Sequence, residues 1–584
     1  MFVRVKSTPK SPRKSVQIVE SYRIEGKVRQ RIVKHIGVAQ DENELEELKS
    51  LANSIKVKLE LDSQLPLYTP KEIEAREKKE QEKKQKEQKS RDNRVKLINE
   101  LDVEKNRARF DVNLLDIEEE GRVITGIHDI YGKLYDELGF DKVIGNPARN
   151  ARSQEILKEI VLARVANPDS KRGTVFNLEK NFGVELDLKA VYRMMDKLGD
   201  HEIKRLNKLV FEQTKSLFKE KIDLVFFDAT TLYFESFKED EFKKNGYSKD
   251  GKFNQPQVVL ALMVTKEGLP IGYKAFEGDT FEGHTLIPVL QEVKEQYDLD
   301  KVVFVADSGM FSKDNLKKFE EVYDNKSNIT YIVGARIKNM TEKLKAQITN
   351  MDNYSELNDD MKVATFDLGN GKKLLVSHSL KRAKKDKYER EKNIQKLKSK
   401  FEKEKSPKSY LSNSGYKKYL QLKGNEESKK SNCEFKLVIN EEKIEEDAVW
   451  DGLKGIITNN SDLTNEELIA QYTNLWQVEE SFRITKHDLK IRPIYHWKPS
   501  RVKAHLAISF MAYTLIRHLE HRVRLQYVKL SPERIRQLLL NVQVSRLFDT
   551  RTKMRFALPS AIAPEAVKIY KLMGVPVKRL AYVL

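Results

Sequence analysis

Two apolar runs end in aspartate: "LVFFD" closes on Asp228 and "VVFVAD" on Asp307. A carboxylate at the end of a buried strand is costly unless it is paired, hydrogen-bonded or bound to a cation. A third acid, Glu479, stands on the first helix after the sheet pattern resumes, so the sequence offers a set of three carboxylates. Each aspartate alone reads equally as a turn or cap residue, because "FDATTL" and "ADSGMF" both permit it. Jointly with the strand order, cation binding becomes the stronger reading. Cys433 is the sole cysteine, and His487, His496 and His505 have no regular ligand spacing, so oxygen ligands would hold any metal.

The stretch carrying Glu479, "QVEESFRITKHDLKIRPIYHW", reads as a helix followed by a short extended tail. Glu479, Arg483, Lys486 and Lys490 recur at helical spacing, about 100° around from the apolar row Val478, Phe482, Thr485 and Leu489. The ordinary account is a solvated face with an ion pair from Glu479 to Arg483. Glu480 competes as the third acid but shares its face with Ile484 and His487, which favours Glu479.

These acids need a sheet to position them. Residues 221–338 read as antiparallel strands, a helix from His284 to Tyr297, and then strands alternating with helices, the order of an RNase H-like α/β core. The pattern returns over 451–500 after an inserted α+β subdomain at 339–450, too long to be a loop. Ahead of the core lie a β-rich module at 1–45, whose outward Arg29 and Arg31 suit binding to a DNA phosphate backbone, a charged helical linker at 46–110 and a helical DNA-binding domain expected at 111–220. Within that region "NFGVELDLKAVYRMMDKLG" allows a helix-turn-helix. Residues 501–584 read as helical, with "LAISFMAYTLI" a buried helix too short to span a membrane.

The chain has 584 residues, 34% charged and 39% hydrophobic, with a net charge of +19 and a pI near 9.3. That balance favours a polyanionic partner, although lysine-rich usage also follows from an AT-rich genome. The N-terminus has no apolar run of the signal-peptide kind, so a cytoplasmic, nucleoid-associated protein is expected.

With these residues in place, the sequence resembles the DDE-type insertion-sequence transposases, in the branch marked by a Y-(2)-R-(3)-E-(6)-K signature. Tyr472, Glu479 and Lys486 fall at its spacing in "YTNLWQVEESFRITK", with Leu475 at the Arg position. "FFDATTLYFES", "ADSGMFS", "DGLKGIITN" and "LKIRPIYHW" resemble its other segments, in order, over nearly the whole chain. The resemblance implies that Asp228, Asp307 and Glu479 are catalytic and hold two Mg²⁺ (or Mn²⁺) ions. It implies cleavage at terminal inverted repeats, strand transfer into target DNA, and a homodimer that synapses two ends. Tyr472, Arg483, Lys486 and Lys490 would contact DNA. Trp476 and Trp497 would either stack on a base or, as the first expectation, pack on the sheet. A silent DNA-binding derivative and an RNase H-like structure-specific nuclease are the alternatives. His284 and Asp451 are secondary site candidates.

Overall fold

The computed structural model describes residues 2–7, 14–24, 27–39, helical positions between 44 and 56, 112–217, 224–235, 237–247, 254–289, 302–307, 329–401, 418–424, 435–527 and 530–584. Most of the expected charged linker lies outside them. The chain forms two compact units, Met1–Asn113 and Leu114–Leu584.

In the first unit, β1 (Phe2–Ser7), β2 (Lys14–Ile24) and β3 (Lys27–Ala39) form an antiparallel sheet in chain order. Val16 and Ile18 are buried with Leu45 and Ala52, against which Leu48 and Ile55 also pack. The last four recur at helical spacing, so one apolar helical stripe closes the module.

The second unit starts with β4 (Ile117–Ile124) and a group of helices that includes Pro147–Ala166, Lys171–Asn177, Leu188–Met195 and Asp200–Ser216. The core follows with β5 (Leu224–Tyr233), β6 (Gln257–Val264), β7 (Pro270–Glu277), β8 (Val302–Ala306) and β9 (Ile329–Ala335). β5, β6 and β7 are antiparallel neighbours, and β8 and β9 join the other edge of β5 in parallel. This is the RNase H-like arrangement expected from the strand order. Of the helix expected from His284 to Tyr297, a 3-10 turn at Glu282–Thr285 and helical residues 286–289 and 292 are described, and its other positions lie outside the described residues.

The segment at 339–450 supplies β10 (Ser355–Asn358), β11 (Met361–Gly369), β12 (Lys372–Ser379), the helix Leu380–Phe401 and a separate ribbon of β13 (Leu420–Gly424) and β14 (Phe435–Ile439). β15 (Leu453–Thr458) then returns antiparallel to β9. Its other edge takes β12, so the inserted strands continue the core sheet in the order β10-β11-β12-β15-β9-β8-β5-β6-β7. An edge that would otherwise invite pairing with another chain is thereby covered.

Helices Asn465–Thr473 and Trp476–Arg483 lead to the long helix Pro499–Gln526, which is buried almost all round from Ala504 to Glu520. The expected helical C-terminal region needs correction. It also holds β16 (Gln543–Asp549), β17 (Arg555–Pro559) and β18 (Tyr582–Val583), which join β4 in a four-stranded sheet. β4, "IEEEGRVI", has a largely exposed surface and no clean apolar alternation, so pairing with β16, more than 400 residues away, decides its conformation.

Candidate active site

The faces of the sheet are assigned by the period-2 alternation of strand side chains. On β5, Leu224, Phe226 and Leu232 belong to the large core shared with Val478, Phe482 and the long helix, whereas Val225, Phe227 and Ala229 pack on the opposite side. Asp228 therefore faces the helix that carries Glu479. On β8, Val303 and Val305 face that same core, which puts Asp307, one step past the strand, on the same side. Phe227 lies opposite Ala306 in the parallel register. The next positions, Asp228 and Asp307, are thus neighbours across strands about 4.8 Å apart.

The helices above supply the roof. Thr464 caps Asn465–Thr473 by accepting from the Glu467 amide at 3.2 Å, and this helix brings Tyr472 over the sheet. The Tyr472 hydroxyl donates to Asp307 Oδ1 at 3.2 Å. Burial, then the Asp307 carboxylate, pushes the phenol well above its ordinary value. Lys454 projects from β15 with its ammonium 4.4 Å from the Tyr472 ring centre. Burial and Arg382 hold that ammonium below its ordinary value, against the opposing pull of Asp307 and Glu479. Glu479 is exposed, and its charge acts on the same Tyr472 and Lys454 as Asp307 does.

Lys486 donates to Thr230 Oγ1 at 2.5 Å. Thr230 lies two residues beyond Asp228 on the same strand face, so this ammonium sits beside the aspartates. The helix is fixed from behind: the Tyr513 hydroxyl is 2.6 Å from Ser481 Oγ and 3.2 Å from the Gly268 carbonyl. Gly268 takes a φ of +74° in the turn between β6 and β7, which glycine permits without a Cβ clash. Arg517 Nε donates to the same carbonyl at 2.9 Å.

The charged row expected along one helix face is broken. The α-helix ends at Arg483, Ile484–Asp488 is a π-helical turn, and Lys490 is left-handed at φ 45°. Spacing of 3.6 residues per turn does not survive such a change of winding. Arg483 instead grips Glu480 through two bonds of 2.8 and 2.6 Å, and its guanidinium holds that carboxyl below the usual range. The ion pair expected from Glu479 thus belongs to Glu480.

A sequence profile described as "Transposase DDE domain" matches residues 219–515, half of the chain. The chain belongs to the DDE transposase family. A second profile, "IS1634 family transposase, N-terminal domain", matches residues 2–63 of this family member. No curated protein matches the sequence. One solved structure with some likeness, "Mos1 transposase paired-end complex with left transposon end", is 15% identical, covers 30% of this chain and 56% of its own, and has a TM-score of 0.13. The transposase-family chain therefore spans just over half the length of that structure's chain, and so low a score carries no argument.

Other expected site residues in this DDE family member are placed as follows. Tyr472 is buried with its hydroxyl on Asp307, in a supporting position for that carboxylate. Leu475, at the signature Arg position, is packed in the core. Trp476 and Trp497 are 50% and 71% exposed, so packing on the sheet is not their fate. Arg31 pairs with Glu20 at 3.0 Å, and Arg29 lies on the same strand. Asp451 is held bidentately by Arg390, one bond being 2.6 Å, and His284 is exposed against Phe281. Sequence reasoning does not reach Lys454 and Arg382, although a lysine as the second residue of the otherwise largely apolar "LKGIIT" is a visible signal.

The donor set fits a hard cation in part. Asp307 stands just past the end of β8, whereas Asp228, expected at a strand end, lies inside β5, which runs on to Tyr233; across the parallel pair the two are adjacent oxygen donors. Among the described residues, however, no three His, Cys, Asp or Glu side chains gather closely enough to hold an ion together.

Proposed function

We propose that this protein binds the terminal inverted repeats of a mobile element and catalyses metal-dependent DNA cleavage and strand transfer, with Asp228, Asp307 and Glu479 as its catalytic carboxylates. The observation that carries the reading is the register that sets Asp228 beside Asp307 under the helix bearing Glu479. Asp228 and Asp307 would hold the divalent ions, Mg²⁺ or Mn²⁺, with Glu479 as the third ligand. Bound there, the ions would activate water or a 3′-OH and stabilise the leaving oxygen.

The chain's own residues do the rest. Tyr472 orients Asp307 by its hydroxyl bond. Lys454 and Lys486 set positive charge beside the acids, where it offsets the charge of an incoming phosphate. Trp476 and Trp497, both exposed, are free surfaces for base stacking. A homodimer would present two such centres to two element ends.

A silent DNA-binding derivative is the reading favoured by the incomplete gathering of the three acids. Purified protein with element-end DNA separates the two. Mg²⁺-dependent nicking at the element boundary supports the transposase, and salt-dependent binding without product at any Mg²⁺ concentration supports the derivative.

A further inference from the structure

A cavity of about 380 Å³ lies away from the carboxylates, between the helices at Pro147–Ala166 and Lys171–Asn177 and the strap that follows Leu489. Its walls hold Arg164 and Lys171, only 3% and 4% exposed. The Arg164 guanidinium spends its bonds on backbone carbonyls: Leu489 at 2.7 Å, Asp169 at 3.2 Å and Lys490 at 3.4 Å. Among the described residues the Lys171 ammonium bonds the His505 ring, 3.5 Å from Nδ1, and His505 Nε2 is turned to the Ile491 carbonyl at 3.0 Å. Neither cation forms an ion pair among the described residues.

Two buried cations without an ion pair are costly; the carbonyl bonds and the charge of Asp169 offset this in part for Arg164, while Lys171 has no such offset among the described residues. Burial lowers both groups, and burial together with these cations keeps His496 and His505 neutral. The rim adds Arg172, Lys490 and Arg492, against the single acid Asp169. Lys490 holds its left-handed backbone here, a conformation that a residue with a side chain adopts at a cost. This excess of cationic donors matches an anion with several acceptor oxygens, such as a phosphate group.

We propose that this cavity is an oxyanion site that takes a phosphate group of the DNA strand running from the carboxylate centre. The strap is tied to that centre, since the Ile494 amide donates to the Tyr233 carbonyl at 3.3 Å, at the end of the strand that carries Asp228. Tyr233 lies five positions beyond Asp228, roughly 17 Å of extended chain, a span of a few nucleotides. The choice of DNA over free phosphate rests on the transposase reading; the oxyanion site itself does not.

The test compares the full chain with Lys171→Met, without divalent metal. Inorganic phosphate at matched ionic strength is expected to raise the melting temperature of the wild type. In Lys171→Met that rise is lost, while the melting temperature without phosphate stays level or increases. A duplex of element-end sequence should bind the variant several-fold more weakly, with a salt dependence shallower by about one ion. If Lys171→Met does not fold, Arg492→Gln is read the same way at the rim. No phosphate shift in the wild type, or an undiminished shift in both variants, overturns the site. A shift that Lys171→Met abolishes with DNA affinity untouched overturns the DNA assignment and leaves free phosphate or a nucleotide as the ligand. Failure of cleavage with these binding results intact removes the transposase reading alone.

Discussion

Tyr472 separates a DNA contact from a support for the metal site, because Tyr472→Phe removes one oxygen and little else. The ring is packed, with the residue 6% exposed, so phenylalanine fills the same space and folding should hardly change. What is lost is a hydrogen bond to a carboxylate, a class worth about 1.5–3 kcal/mol. Asp307 is exposed, so water replaces part of that bond, and the lower figure applies. A cost of about 1.5 kcal/mol is roughly tenfold in affinity. The half-saturating Mg²⁺ concentration for cleavage of element-end DNA should therefore rise about tenfold, while DNA affinity without metal stays at the wild-type value. An unchanged Mg²⁺ dependence together with weakened DNA binding would refute this reasoning and return Tyr472 to the DNA-contacting role its signature position first implied.

Arg517→Met should lower stability by about 1.5 kcal/mol in denaturant unfolding, because Glu520 loses the guanidinium at 2.5 Å but keeps Arg524 at 2.7 Å, and the Gly268 carbonyl loses Arg517 but keeps the Tyr513 hydroxyl. Asp451→Asn should cost about 2 kcal/mol through the released Arg390, yet leave cleavage per folded molecule unchanged; a specific loss of cleavage would make Asp451 a site acid after all. Acid sensitivity follows from His496, which burial, then Lys171, Arg164 and Arg501, pulls down from 6.5 to about 3. Between those values the unfolded chain takes a proton that the native chain refuses, so this residue's contribution is present above pH 6.5 and lost as pH falls toward 3. Thermal melts in phosphate-free buffer should show a shallower acid decline for His496→Gln, and equal slopes would contradict the assignment.

The two aspartates were legible because each follows an apolar run that announces a strand, although only Asp307 stands at a strand end and β5 continues five residues past Asp228. Their adjacency was not, since it depends on which strands pair, and β5 meets β8 only after two intervening strands. The helix of Glu479 was legible in its apolar row, as Val478 and Phe482 do enter the core. Its charged row was misread because the extrapolation assumed one continuous winding through residue 490. Local spacing likewise gave no view of the cavity at Lys171, where Arg164 bonds a carbonyl 325 residues away. Lys454 was within reach of the sequence, since a charged side chain inside "LKGIIT" calls for an explanation of the same kind as Asp228.

The central claim is tested most directly by cleavage of element-end DNA in Mg²⁺ with the wild type and with Asp228→Asn, Asp307→Asn and Glu479→Gln, each checked for folding and DNA binding. The account predicts nicking at the element boundary by the wild type and background levels for all three variants, with DNA still bound. Full activity in any one of them would contradict it, and full activity in Glu479→Gln alongside loss in Glu480→Gln would move the third carboxylate by one residue.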